Sequence, residues 1–483
     1  MRILYKFFIV GMFFLFIPFV QADTESRPYT DVSQLTPEQK VFYDRLNSVQ
    51  QENLLHPPKP VYPIGTIDCQ DYLTFGKISI DISPSEHSLL PGTLATFSGK
   101  VINPFNYPVV EGQVYAKIFY KNSKSVENEH LNGHRLVAQF IAVDNIALKA
   151  NEKKPVTFTW QVPASAQAGD YEVVFYYSSA HRHSITGLTF TNDITGNVAA
   201  FQIDNTYTDL PVYFDEDTVK LNDKNFYFAQ PIPAFAKEEK VIASFALVNP
   251  KDTPNQVEVT YKLYSWDALF AGNFKTEKTE KITLQPQETK SLSYEVPVID
   301  NSVSYVVVTV KDHDAESILD IRFSRNGIEE THNNKLGVAT YPLKAGATST
   351  LFACAHSAGP NNVKDSVITV TLKDADQNIL HTFTYANGIT SSVLGFKDDF
   401  VLEKDLYDFT LTSSVTQVGK PAQEITIRYS CSAIDPTLCP KSNTSLIIFG
   451  SAVVILIVAL GTFLIVRRKR GRENNMISTN EIK

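Results

Sequence analysis

The chain has 483 residues, 20 % of them charged, and a formal net charge of −8. Two basic residues in the first 22 and a net four positive charges after Val466 leave −14 on everything between. A surface that acidic repels phosphate backbones and makes nucleic acid a poor candidate partner, and the length suggests about three domains.

Residues 1 to 22 carry Arg2 and Lys6, then an apolar run from Phe7 to Val20, then Val20-Gln21-Ala22 with small residues at the −3 and −1 positions. This is the pattern of a cleavable export signal, leaving Asp23 as the first mature residue. The run is short for an uncleaved membrane helix, which needs roughly 20 apolar residues.

A spacer is expected from 23 to 76. Thr36-Pro37-Glu38-Gln39 offers an N-cap, a proline at the first helical position and a capping-box glutamine. Phe42, Leu46 and Val49 follow at helical spacing, so one short helix to about Leu54 is expected. His56-Pro57-Pro58-Lys59-Pro60 then stops it and favours a stiff, extended segment. The alternative to a spacer is a docking segment.

From Lys77 the chain turns to runs rich in Val, Ile, Thr, Tyr and Phe, bounded by Asn, Asp, Gly and Pro: 114–120, 173–177, 257–264, 305–310 and 367–372. These are strands, and the fold class expected is all-β. A repeat organises them. Val101-Ile102-Asn103-Pro104 and Leu247-Val248-Asn249-Pro250 each place an Asn-Pro turn after a strand. Val156 to Pro163 is echoed by Lys290 to Pro297, and Tyr171 and Tyr305 each lead a following strand. Alternation puts Phe158 with Trp160, and Leu292 with Tyr294, on one face of their strands, as the core of a two-sheet sandwich requires.

The frame divides the exterior into tandem immunoglobulin-like β-sandwiches at 77–205, 206–333 and 334–440. The third is the most divergent, with Leu351 to Cys354 as its first repeated strand and Glu424 to Cys431 as its last. Chain order puts Cys354 and Cys431 in that one sandwich, on strands that could face each other, and makes them the disulfide candidates. In an extended rod Cys69 could not reach Cys439, so it is free, intermolecular, or a sign that the rod folds back. No CxxC and no Cys/His spacing points to zinc.

Leu148-Lys149-Ala150-Asn151-Glu152-Lys153, then VTFTWQVP, then Ala168-Gly169-Asp170-Tyr171 before a valine-rich strand resembles the bacterial and archaeal immunoglobulin-like cell-adhesion-related domains. That family carries a Leu-x-x-Gly-Glu turn, a Thr-x-x-Trp strand and an Ala-Gly-x-Tyr lead-in. The second copy keeps Leu284-Gln285-Pro286-Gln287-Glu288 and Tyr294 but has Val303-Ser304 before Tyr305. The resemblance covers about 130 residues; it implies seven-stranded sandwiches and a surface role, and transfers no catalytic or binding residue. Asn151 stands where the family has a turn glycine, and Asn tolerates positive φ.

Ser445 to Val466 is an uncharged apolar run followed by Arg467, Arg468, Lys469, Arg470 and Arg472. It reads as one transmembrane helix with residues 467–483 as a basic cytoplasmic tail and the bulk outside, at the cell membrane. Gly450 and Gly461 are too far apart for a helix-pairing Gly-xxx-Gly. No Leu-Pro-x-Thr-Gly precedes the run, so covalent wall attachment is not expected. The sequon Asn443-Thr444-Ser445 abuts the membrane.

His181 and His183 could point the same way from a strand as metal ligands, yet no third ligand is evident. Asp374 to Asn378 alternates oxygen side chains like a calcium loop but lacks its glycine and its distal acid, so a hairpin tip explains it. Asp215-Glu216-Asp217 and Asp312-His313-Asp314 are similar acidic turns. No nucleophile elbow, zinc-helix motif or phosphate loop occurs. The expectation is a non-enzymatic, cofactor-free surface protein: a stalk that binds an unidentified protein or glycan, or spaces one, and contacts lipid through its helix. An ectodomain subunit docked on a larger membrane complex is the alternative, and a surface hydrolase a third reading.

Overall fold

The computed structural model describes residues 31–34, 66–67, 78–121, 134–179, 198–204, 210–226, 233–265, 271–357, 365–386, 393–440 and 456–468. The expected signal, the helix after Thr36, His181 to His183, Cys69, residues 445–455 of the expected span, and Lys469, Arg470 and Arg472 lie outside them. A 3-10 turn at Val32–Gln34 comes first.

The strands follow in chain order. They are β1 (Thr66–Ile67), β2 (Ser79–Pro84), β3 (Ser88–Leu89), β4 (Leu94–Ile102), β5 (Val109–Lys121), β6 (His134–Leu148), β7 (Lys153–Gln161), β8 (Gly169–Ser179) and β9 (Val198–Ile203). Next come β10 (Tyr213–Leu221), β11 (Lys224–Asn225), β12 (Ala234–Ala236), β13 (Val241–Val248), β14 (Asn255–Ser265), β15 (Phe274–Leu284), β16 (Thr289–Val296), β17 (Val303–Asp312) and β18 (Ala315–Asn326). The last group is β19 (Thr331–Val338), β20 (Thr348–Ser357), β21 (Ser366–Asp374), β22 (Ile379–Tyr385), β23 (Val393–Val401), β24 (Phe409–Gln417) and β25 (Lys420–Tyr429). A single-turn helix α1 (Cys431–Ile434) closes them, and a second helix, α2, is described over 456–468.

The described chain is all-β in several sheets, with three sandwich cores. Sheet β2-β4-β7 covers the β6-β5-β8-β9-β3 part of a ten-stranded sheet; between them Phe97, Phe158, Trp160, Phe175 and Phe201 pack. Sheet β11-β10-β13-β16 covers the β15-β14-β17-β18 part around Phe214, Phe245, Tyr261 and Phe323. Sheets β1-β23-β20-β19 and β22-β21-β24-β25 enclose the third core, with Leu351, Val370, Phe396 and Tyr429. β1, from the expected spacer, pairs with β23.

Burial patterns show which strands are covered once and which twice. β7 alternates exposed and buried toward its end, as an edge strand with one wet face must. β5 and β17 are buried almost without a break. Val114, Ala116 and Ile118 face the first core, while Tyr115 and Phe119 face Tyr305, Val307 and Ile318 of the second sandwich. The unbroken Val306-Val307-Val308 therefore has a tertiary cause: Val306 and Val308 serve one sandwich, Val307 the contact between two.

Tyr171 and Tyr305, matched by sequence, fall on opposite faces. Tyr171 lies in the first core and Tyr305 in the inter-sandwich contact. The period of a strand is two, so a one-residue slip in aligning the copies is enough to exchange faces.

The Asn-Pro turns match atom for atom. Asn103 Nδ2 donates to the carbonyls of Tyr107 and Lys149, and Asn249 Nδ2 to those of Thr253 and Gln285. Each Oδ1 accepts an N–H two residues on, from Phe105 and Lys251. The facing turns carry Asn151 at φ 56 and Gln287 at φ 55, and their Glu152 and Glu288 each accept the N–H three residues back. The left-handed residue expected at Asn151 forms, and Gln287 takes the same conformation in the second copy.

Candidate functional site

Most of the chemically suggestive residues are spent on structure. Asp374 and Asn378 bond to each other across a hairpin tip, Asn378 N to Asp374 Oδ1 at 2.8 Å and Asn378 Nδ2 to Oδ2 at 3.0 Å. The Asn378 side chain holds the Asp374 carboxyl below its ordinary range. Asp215 to Asp217 sit on β10 beside a register shift. Among the described residues no group of three or more His, Cys, Asp or Glu side chains is placed to hold a metal ion.

Asp312-His313-Asp314 is the hairpin between β17 and β18, with His313 at φ 57. Asp312 is buried and accepts from Val212 N at 2.9 Å and Lys251 Nζ at 2.9 Å. Asp314 reaches the first sandwich, accepting from the N–H groups of Ala164 and Ser165 and from the Ser165 hydroxyl. Burial alone would raise both carboxyls, but these donors hold each below its ordinary value. What reads as an acidic turn is a clasp between sandwiches.

The contact holds three more charged side chains that the sequence does not single out. Lys117 on β5 and Asp320 on β18 form a buried ion pair, and Gln139 Nε2 donates to Asp320 Oδ1 at 3.3 Å. Arg135, on β6, lies between the rings of Tyr120 and Tyr213, 4.4 and 4.0 Å from their centroids. Its guanidinium donates to Gln167 Oε1. Burial lowers its pKa, opposed by the neighbouring tyrosines and by Glu216.

Cys354, Cys431 and Cys439 are all disulfide-bonded. Cys354 points away from the third core, against Tyr107 and Phe352, while Leu351, Ala353 and Ala355 face inward. Cys431 opens α1 beyond the end of β25, and Asp408 Oδ1 accepts from its N–H at 3.1 Å. Arg467 and Arg468 are helical and are the last residues described.

The open surface with the most regular chemistry is the outer face of sheet β22-β21-β24-β25. Register aligns Thr382, Thr371, Thr412 and Thr426 across all four strands, an unbroken row of threonines. One neighbouring row runs Thr384, Thr369, Ser414, Glu424, and the other holds Lys373, Thr410 and Arg428. Thr412 and Thr426 share one hydrogen bond of 3.0 Å between their hydroxyls. The face forms an open concavity of about 420 Å³. Strand alternation forces this composition outward, because Ile368, Val370, Leu372, Leu411, Ile425 and Ile427 take the core side. The strands at 367–372 and 424–431 are legible in the sequence, but the row is not, since it needs the register of four strands.

No protein-family model matches the sequence, and no curated protein sequence does. Among solved structures, trypsin-activated alpha-2-macroglobulin from Escherichia coli is 9 % identical with a TM-score of 0.30, matching 72 % of this chain and 23 % of its own. Dimeric latent PorU from Porphyromonas gingivalis is 10 % identical with a TM-score of 0.19, matching 73 % of this chain and 33 % of its own. This chain thus spans a third or less of their length, and at such TM-scores neither bears on what it does.

Proposed function

We propose that the chain is a membrane-anchored surface protein whose immunoglobulin-like β ectodomain binds a protein or glycan partner through the threonine-rich face of its third sandwich. The observation that carries the anchor is α2. Leu456, Ile457, Val458, Leu460, Phe463, Leu464, Ile465 and Val466 are all exposed, on every side of the helix, and Arg467 and Arg468 follow at once. A helix apolar all round suits nonpolar surroundings. No helix among the described residues is long and apolar enough by itself to cross a membrane, and the uncharged run Ser445 to Ile455 precedes α2 in sequence.

Binding by a sheet face rather than a cleft suits a site of hydroxyls with two cations at one edge and a carboxylate at another. The test uses the full chain on cells. A membrane-impermeant amine label should reach the β region in intact cells, and the chain should stay with membranes at alkaline pH. Labelling only after lysis, or release into the alkaline supernatant, overturns the anchor. Thr371→Arg with Thr412→Arg should keep the fold and abolish partner capture; unchanged capture removes the face from the proposal.

A further inference from the structure

We propose that the cavity beside Arg135, where the first and second sandwiches meet, binds one small monovalent anion of about halide size. Arg135 is only 8 % exposed, yet among the described residues no carboxylate comes within ion-pair distance of it. Its Nε is buried and donates to no group. Burying a guanidinium without a counter-charge is strongly unfavourable, whereas neutral waters leave the charge uncompensated.

The space beside it suits an ion. The cavity holds about 30 Å³ and is lined by Arg135, Tyr120, Tyr213, Gln167 and Ser317. A water needs roughly 10–15 Å³ by this measure, so one halide or about two waters fit. Its walls supply uncommitted protons. Tyr120 Oη accepts from Gln167 Nε2 at 2.7 Å, and Ser317 Oγ accepts from Phe214 N at 3.3 Å, which leaves both hydroxyl hydrogens to point at an anion. Glu216 acts on Arg135 only through its longer-range field, and Glu316 lines the cavity without pairing with it. The bound ion neutralises Arg135 and keeps it wedged between Tyr120 of the first sandwich and Tyr213 of the second.

The experiment compares the purified full chain in sodium chloride and in sodium gluconate at equal ionic strength, gluconate being too bulky to enter. Chloride should raise the melting temperature saturably and broaden the chloride-35 resonance, with bromide competing. Arg135→Met should lose both effects. Tyr120→Phe, which keeps the ring and removes one donor, should weaken chloride binding about tenfold. Equal melting in the two salts overturns the proposal, as does a chloride effect that survives in R135M. Should R135M fail to fold, Y120F alone decides: wild-type chloride affinity there overturns the site.

Discussion

Lys117 and Asp320 stand 203 residues apart in sequence and meet as an ion pair whose side chains are 3 % and 7 % exposed. Each projects from the side of its strand that faces the other sandwich, among Tyr115, Tyr176 and Ile318. Burial drives the Tyr115 and Tyr176 hydroxyls far above their ordinary range, with the Asp320 charge adding to it. The surroundings are apolar enough that each charge depends on its partner.

Removing one member should therefore cost far more than removing both. Asp320→Ala leaves a buried ammonium and should destabilise by about 3–5 kcal/mol. Lys117→Met with Asp320→Leu should come within about 1 kcal/mol of wild type, because the replacement fills the site with apolar volume. Denaturant unfolding of the single and double variants makes the comparison. Equal losses in both would mean that the pair is solvated.

Acid should loosen the clasp at Asp314 before the cores melt. Its carboxyl, like that of Asp312, is held below the ordinary value in the folded chain. A depressed folded pKa stabilises above the unfolded value of about 3.9 and ceases to do so as pH falls through the folded value. The loss thus lies below about pH 4. Amide exchange at Ala164 and Ser165, corrected for intrinsic rates, should show protection at pH 6 that disappears near pH 2, and Asp314→Asn should show reduced protection already at pH 6. Protection unchanged across that range would sever the link.

The paired Asn-Pro turns predict matching penalties in two sandwiches. Asn103 and Asn249 are both fully buried and each gives two hydrogen bonds to backbone carbonyls, one of which, Lys149 or Gln285, also accepts a backbone N–H. Alanine at either position should cost about 2 kcal/mol, two lost bonds at about 1 kcal/mol each. Aspartate keeps the acceptor but not the donors, so it should rescue little. A loss at only one of the two positions would contradict the equivalence of the turns.

Local patterns made the strands, the all-β class and these turns readable in advance. Asn103 and Asn249 were legible because an Asn-Pro turn needs only neighbours in sequence, and Phe158 with Trp160 because alternation needs only one strand. Lys117 was not. A lysine between Ala116 and Ile118 looks like an ordinary outward residue, and only the second sandwich laid over that face makes it interior. Asp312 and Asp314 misled because the carboxylates of acidic hairpins normally meet only water, whereas Asp312 accepts the Val212 N–H of its own sandwich and Asp314 the Ala164 N–H of the first. The threonine row needed register across four strands, information that no single segment holds.

Gly99 offers the sharpest test of how closely the first sandwich is packed. A Cβ there would lie 2.0 Å from the Asp81 carbonyl oxygen and 2.6 Å from Ile82 Cα, both backbone, so no rotamer change relieves it. Counting back from the matched Asn103 and Asn249, the same place in the second sandwich is Phe245, and Phe97 corresponds to Ala243; bulk and space have changed places along the strand. Gly99→Ala should push β2 off β4 and cost about 3 kcal/mol, at the upper end for overpacking. Gly346→Ala, where φ is +72 and nothing lies within 4 Å, should cost only the backbone strain of about 1–2 kcal/mol. Exchange protection should fall along Ser79 to Pro84 in G99A alone. If the added substitution Phe97→Ala restores G99A, the conflict is one of core volume, and the backbone contact is not what selects glycine.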